Sequence, residues 1–218
     1  MTELPYIVGF QKSQTNLKGI DLSEWKYVFK FDIAENGSKE TVGVNNYQLF
    51  LENIYSINSK NFYQVIRENR LIREYYDIDI PGDFCEENWD NETVKFVNDF
   101  IYHRNEFGKD LDADKFNTLN KTDFIILTAH KKTKLSFHIY SKKTAFKNIE
   151  THNNFASHLK CRIPKIDLSV YSKNRAIRLV GNSKLGEDRP LKPFGSNAVS
   201  VSDTLIELSE NAKGYNII

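Results

Sequence analysis

The chain is poor in residues that mark several protein classes. It has two cysteines, Cys85 and Cys161, in no CxxC or Cys/His spacing. That offers no structural zinc site and fits a reducing intracellular compartment: cytoplasm, nucleus or a viral replication site. The five histidines (His103, His130, His138, His152 and His158) form no HExxH or HxH pattern. No apolar run approaches the ~20 residues of a membrane span, so no membrane partner is expected. The N-terminus, MTELPYIVGFQKSQ, lacks the basic start and long apolar stretch of a signal peptide. Internal repeats and low-complexity linkers are also missing.

Net charge is nearly absent too, and here the absence misleads. The 30 Lys+Arg and 29 Asp+Glu residues leave a total of +1. Between Lys121 and Lys192, however, 16 basic residues face 5 acidic ones, a local +11. The first 120 residues hold 13 basic and 21 acidic residues, or −8, and the tail after Lys192 carries −2. Such segregation points to a phosphate-bearing or polyanionic partner for the basic block. A surface that is merely basic on one side is the plainer alternative.

What is present suffices for a folded domain. Hydrophobic residues make up 40% of the 218 and aromatics 13%, too much for a disordered chain and enough for a core. Trp25–Ile33 alternates and reads as a strand, and Asn45–Ile57 as a helix. Leu71–Ile80 reads as a strand stopped by Pro81-Gly82. A helix is expected over Asp90–Phe107, with Asp90 as N-cap, Val94, Val97 and Ile101 on its apolar face, and Gly108 as its stop. Asp123–Ala129 and Lys134–Ser141 read as strands joined by a turn at His130–Thr133. Phe146–Leu159 reads as a helix, and Ile166–Tyr171 and Ala176–Val180 as strand pieces. Strands and helices mix without a regular βαβ repeat, which predicts an α+β fold. Ser209–Ile218 carries no domain-closing signal, so the chain reads as a piece of a larger protein.

Three segments expose chemistry through the strand period. In Tyr75-Tyr76-Asp77-Ile78-Asp79-Ile80, alternation sends Tyr76, Ile78 and Ile80 to the core and Asp77 and Asp79 together to the other face. Adjacent carboxylates repel, so a divalent cation such as Mg²⁺ or Mn²⁺ is their natural companion. A solvated edge strand is the alternative. In Lys134–Ser141, Leu135, Phe137 and Ile139 form an apolar face. Lys134, Ser136, His138 and Tyr140 form a polar one, suited to phosphate oxygens or simply wet. The third segment runs DLSVYSKNRAIRLVGNSKLGEDR from Asp167 to Arg189. It places one aspartate among Lys173, Arg175, Arg178, Lys184 and Arg189. Its Gly181-Asn182-Ser183-Lys184 turn could offer backbone N–H groups to phosphate, or Asp167 could be a salt-bridge partner in a solvated hairpin.

Taken in order, Asp77-Ile78-Asp79, Ser136-Phe137-His138 and Asp167 with its downstream Arg and Lys resemble the archaeo-eukaryotic primase superfamily. The run VYSKNRAIRLVGNSKLG is especially similar to the PrimPol and viral primase-helicase branch. The resemblance covers about Leu71 to Arg189. It implies a primase-type catalytic core over 71–218, an RRM-like antiparallel sheet with packed helices, preceded by an N-terminal α/β unit over 1–70.

The resemblance also implies roles. Asp77, Asp79 and Asp167 would hold two Mg²⁺ or Mn²⁺ ions, ~3.5–4 Å apart, for in-line transfer of a nucleotide to a 3′-hydroxyl. Lys134, Ser136, His138, Arg178 and Lys184 would bind the triphosphate. Arg175 fits the pattern but lies on the opposite strand face from Arg178, which suits template contact or packing. The implied partners are nucleoside triphosphates, a single-stranded DNA template and primer, and a helicase domain in cis or trans. Lys131, Lys132, Lys142, Lys143, Lys147, Lys160, Arg162 and Lys165 would track the template backbone. Tyr140 and Tyr171 would stack bases or pack in the core. Zinc-binding elements found in parts of the superfamily have no Cys/His counterpart here. A repair or bypass polymerase, a template-independent nucleotidyltransferase and a non-enzymatic single-stranded DNA-binding module share these motifs. A nuclease or DxD glycosyltransferase fits the SxH and basic segments less well.

Overall fold

The computed structural model describes residues 7–11 (backbone only), 22–23, 25–32, 39–46, 50–51, 61–195, 198–208 and 212–218. Most of the helix expected over Asn45–Ile57 lies outside them. The described residues form a mixed α+β fold with two sheets.

The first sheet has the order β1 (Ile7–Gln11), β3 (Lys39–Val44), β2 (Tyr27–Asp32), β4 (Phe62–Ile66) and β8 (Arg175–Arg178), all antiparallel. Its edge strand β8 thus comes from far beyond residue 70. Further ties cross the same distance. Gln64 Oε1 accepts from the Ile206 N–H at 2.7 Å, and Asn182 Oδ1 from the Phe62 N–H at 3.0 Å. Arg67 binds both oxygens of Glu207, each 3.0 Å from its Nε, in a buried ion pair.

The second sheet centres on β7 (Lys134–Phe146), with β5 (Ile72–Pro81) on one side and β6 (Phe124–Thr128) on the other. The short β9 (Lys192–Pro193) extends it beyond β6, and β10 (Asn216–Ile217) runs parallel to the end of β7. β7 continues past Ser141, where the sequence suggested a stop, because Ala145 and Phe146 pair again with Arg73 and Ile72 after a register shift. The helix that follows, α2 (Ile149–Leu159), therefore starts later than expected. Asn148 caps it by accepting from the Thr151 N–H at 2.9 Å.

The helix α1 spans Trp89–Asp112, with Asn88 rather than Asp90 at the cap position. Its buried stripe is Thr93, Val97, Phe100, Arg104 and Gly108, whereas Val94 is exposed. Gly108 does not stop the helix. It lets Phe116 approach, since a Cβ there would lie 2.9 Å from the Phe116 Cβ. The α1 face packs on one face of the second sheet. Phe96 stacks on Phe137 at 4.5 Å, and Phe100 meets Tyr76 edge-on at 5.0 Å. Tyr76 and Ile78 are buried on this side, as alternation demands.

A buried network locks β5 to α1. Arg104 donates to Glu74 through Nε at 2.8 Å and Nη2 at 2.9 Å, and Tyr76 donates its hydroxyl to the same carboxylate at 2.6 Å. Burial pushes the Glu74 carboxyl up, but Arg104 and Tyr76 outweigh it, so the net direction is down.

Candidate functional site

Strand pairing brings the motifs together. In the antiparallel register Asp77 lies opposite His138, Asp79 opposite Ser136, and Pro81 opposite Lys134. Directly opposed residues share a face of the sheet with Cβ atoms ~4.5–5.5 Å apart, so the aspartate pair and the SxH pair form one patch. On the other edge of β5, Ile166 bridges Ile78 and the Asp167 N–H donates to the Asp77 carbonyl at 2.9 Å. All three motifs therefore converge on the middle of β5.

The second segment's polar face is covered rather than wet. Ser136, His138 and Tyr140 are all buried. The His138 Nδ1 lies 3.2 Å from the Tyr140 hydroxyl, and its Nε2 lies 3.6 Å from Asp77 Oδ1, beyond hydrogen-bond range. Burial pulls the His138 pKa down; Asp77 and Asp79 offset part of this while Arg178 and Lys184 add to it. The imidazole is therefore neutral near pH 7. Burial holds the Tyr140 hydroxyl protonated.

Asp79 Oδ2 accepts from Lys134 Nζ at 2.7 Å. Its Oδ1 is buried and has no hydrogen-bond partner among the described residues. Burial alone would raise its pKa, but the hydrogen bond from Lys134, the nearby Ser136 hydroxyl and the charges of Lys134 and Lys184 take it below the usual aspartate value. Lys134 and Lys184 thus act on a carboxylate of the DxD strand.

The third segment differs from its expected form. Ile166–Tyr171 is not a strand: after one bridge at Ile166, Leu168–Tyr171 is a 3₁₀ turn. Asp167 initiates the turn, because its carboxylate accepts from the Ser169 N–H at 2.8 Å and the Ser169 hydroxyl at 3.0 Å. Tyr171 then pins the turn to β5 by donating to the Tyr75 carbonyl at 2.8 Å. Both Tyr171 and Tyr140 are buried, which assigns them to packing. Arg175 lies 3.4 Å from the Ser169 hydroxyl, on the Asp167 side. Arg178 is buried, donates through Nη1 to the Arg189 carbonyl at 3.1 Å, and leaves Nε without a partner. Burial and the Arg189 charge depress its pKa while Asp77 works the other way, so Arg178 lies within electrostatic reach of the DxD strand.

The Gly181–Lys184 turn does not offer all its N–H groups to a ligand. The Gly181 N–H is bound to the Leu191 carbonyl at 2.8 Å and the Asn182 N–H to the Leu179 carbonyl at 3.2 Å.

Oxygen-only donors suit Mg²⁺ or Mn²⁺, and the unpartnered buried Oδ1 of Asp79 beside Asp77 fits such an ion. Asp167 is held next to them by its backbone, with its carboxylate turned to Ser169. Among the described residues no three His, Cys, Asp or Glu side chains are already gathered as a metal site.

Part of the site's surroundings carries no signal in the sequence. His130 belongs to it: its Nδ1 accepts from the Ser136 N–H at 3.0 Å, so its Nε2 carries the proton and donates to Thr93 Oγ1 at 2.9 Å. Burial and the Arg189 charge lower its pKa to about 4, with Asp90 opposing. His130 thus fixes the backbone of Ser136 as a neutral ring. Arg189, one of the cations that follow Asp167 in the sequence, is brought beside His130 because the chain returns past Ala129. No described helix is long and apolar enough to cross a membrane. Neither a comparison with protein families nor one with curated proteins finds a match for this chain.

Proposed function

We propose that the chain is a primase-polymerase catalytic domain of the archaeo-eukaryotic primase type, acting within a larger replication protein to synthesise primers on single-stranded DNA. One observation carries the reading. Asp77 and Asp79 stand in register with His138 and Ser136, and Asp167 is hydrogen-bonded through its backbone to Asp77.

Each group has a distinct task. Asp77 and Asp79 would hold Mg²⁺ or Mn²⁺, joined by Asp167 once its carboxylate turns from Ser169. The ions would neutralise charge on the attacking and leaving oxygens. Neutral His138, with Nδ1 accepting from the Tyr140 hydroxyl, presents Nε2–H to a phosphate oxygen rather than acting as a nucleophile. Ser136, fixed by His130, adds a hydroxyl donor. Arg178, with an unmatched Nε, Lys134 and Lys184 offset the triphosphate charge. Arg175, beside Ser169, serves the template or the turn that carries Asp167. Such a site works by positioning and electrostatics, with the substrate hydroxyl as the nucleophile.

The test is to incubate the chain with unprimed single-stranded DNA, labelled nucleotides and Mn²⁺ or Mg²⁺. A de novo dinucleotide is expected. Extension only from a supplied primer would make it a polymerase, and DNA binding without incorporation would remove the catalytic reading.

A further inference from the structure

Next to the candidate site, at the ends of β6 and β9, lies a separate hollow of about 600 Å³. Lys131, Lys132, Arg189 and Lys192 line it against two acids, Glu86 and Asp188. Lys131, Lys132 and Lys192 are exposed, and none has an ion pair among the described residues. Three cations of the basic block are instead tied down: Lys142 to the Thr122 carbonyl at 2.9 Å, Lys160 to the Ile166 carbonyl at 2.8 Å, and Arg162 to Asp110 at 2.5 Å.

The hollow is built, not draped. Lys131 and Lys134 exchange two backbone hydrogen bonds of 2.9 Å, closing a tight hairpin. The Phe84 N–H holds the Lys132 carbonyl at 2.7 Å, and the Gly82 N–H holds the Thr133 carbonyl at 3.2 Å. The two lysines are therefore presented from a fixed turn. Trp89 forms part of the wall, and its indole Nε1 is buried with no acceptor among the described residues. An indole N–H can only donate, and a buried donor left unmade costs ~1–3 kcal/mol. His130 does not compete for a ligand, since both its nitrogens are engaged. Arg189 joins hollow and site: its guanidinium binds the Ala129 carbonyl, and its own carbonyl receives Arg178.

We infer that this hollow binds a phosphate group of a nucleotide unit, held by Lys131, Lys132 and Lys192 with the Trp89 N–H as a further donor. A phosphate ester supplies acceptors only, which suits the cationic side of the hollow rather than Glu86 and Asp188. The inference deepens the proposed function and rests on it for the phosphate's source, the strand running past the site.

Binding is measured on the full chain in EDTA. A labelled single-stranded oligonucleotide is followed by anisotropy, with ATP and inorganic phosphate as competitors. Lys131→Ala/Lys132→Ala should weaken the oligonucleotide at least tenfold at low salt. It should also flatten the slope of log K against log[salt] by about 1.4, at ~0.7 per single-strand contact. Trp89→Phe keeps a ring, drops the N–H and should weaken binding several-fold. If the phosphate belongs to a free nucleotide, the lysine variant loses ATP affinity and keeps the oligonucleotide slope. Unchanged affinity for both ligands in both variants overturns the proposal. Because binding is read without metal, a chain that binds through this hollow yet incorporates nothing leaves the hollow standing and removes the proposed function.

Discussion

His152 makes stability depend on pH in a way that can be worked out beforehand. The ring is fully buried, and neither nitrogen has a hydrogen-bond partner among the described residues. It stacks on Phe146 at 4.4 Å with planes 7° apart, and meets Tyr75 and Tyr171 edge-on at 5.0 and 4.7 Å. Burial lowers its pKa from 6.5 to about 3, with Glu74 opposing. In the unfolded chain the ring takes up a proton below pH 6.5; in the folded chain it stays neutral. The unfolded state then binds more protons, so the stability that is full above 6.5 is lost as pH falls towards 3. At ~1.4 kcal/mol per pH unit, the two units from 6.5 to 4.5 amount to roughly 3 kcal/mol. His152→Phe retains an aromatic ring in the aromatic cluster and cannot titrate. Denaturant melts of both proteins at pH 7.5, 6.5, 5.5 and 4.5 should diverge by about that amount, the variant losing less. Carboxylates and His130 titrate in both proteins and cancel in the difference. Parallel stability curves would refute the reasoning, because they would mean that the His152 ring finds a partner or water when protonated.

Glu74→Gln or Arg104→Met should each destabilise the fold by ~3–5 kcal/mol, since each leaves a buried charge without its partner, and a double replacement should recover much of the loss in chemical denaturation. Asp77→Ala or Asp79→Ala should abolish Mn²⁺- or Mg²⁺-dependent nucleotide incorporation while the unfolding midpoint stays close to that of the parent; full activity in either would remove the metal assignment. His138→Ala should weaken nucleotide binding at least tenfold and template binding much less, read by separate titrations; equal losses would take His138 off the triphosphate.

The division of faces within each motif strand was legible from period alone. Alternation put Asp77 and Asp79 on one face and Tyr76 and Ile78 on the other, and the structure keeps that division. It also sorted Ser136 and His138 from Leu135 and Phe137. Alternation says which residues share a face and nothing about what covers it. The polar face of β7 is a buried one, and His138 is a neutral ring. Local turn chemistry was legible only in part. Asn148 caps α2 inside a span expected to be helical already, and Asp167 initiates a 3₁₀ turn where hydrophobic neighbours suggested a strand. Gly108 looked like a helix stop because a glycine's freedom is visible in sequence, whereas the close approach of Phe116 is not.

The sequence by itself determined the α+β character, the three motif segments and the division of charge into an acidic and a basic half. These follow from local periodicity and composition. The tertiary structure decided the register that sets Asp77 against His138, the return of β8 to the first sheet, and the hydrogen bond from Asp167 to Asp77. It also decided the placing of Arg189 between site and hollow. Each joins residues far apart in the chain, and such contacts form only when the whole core closes.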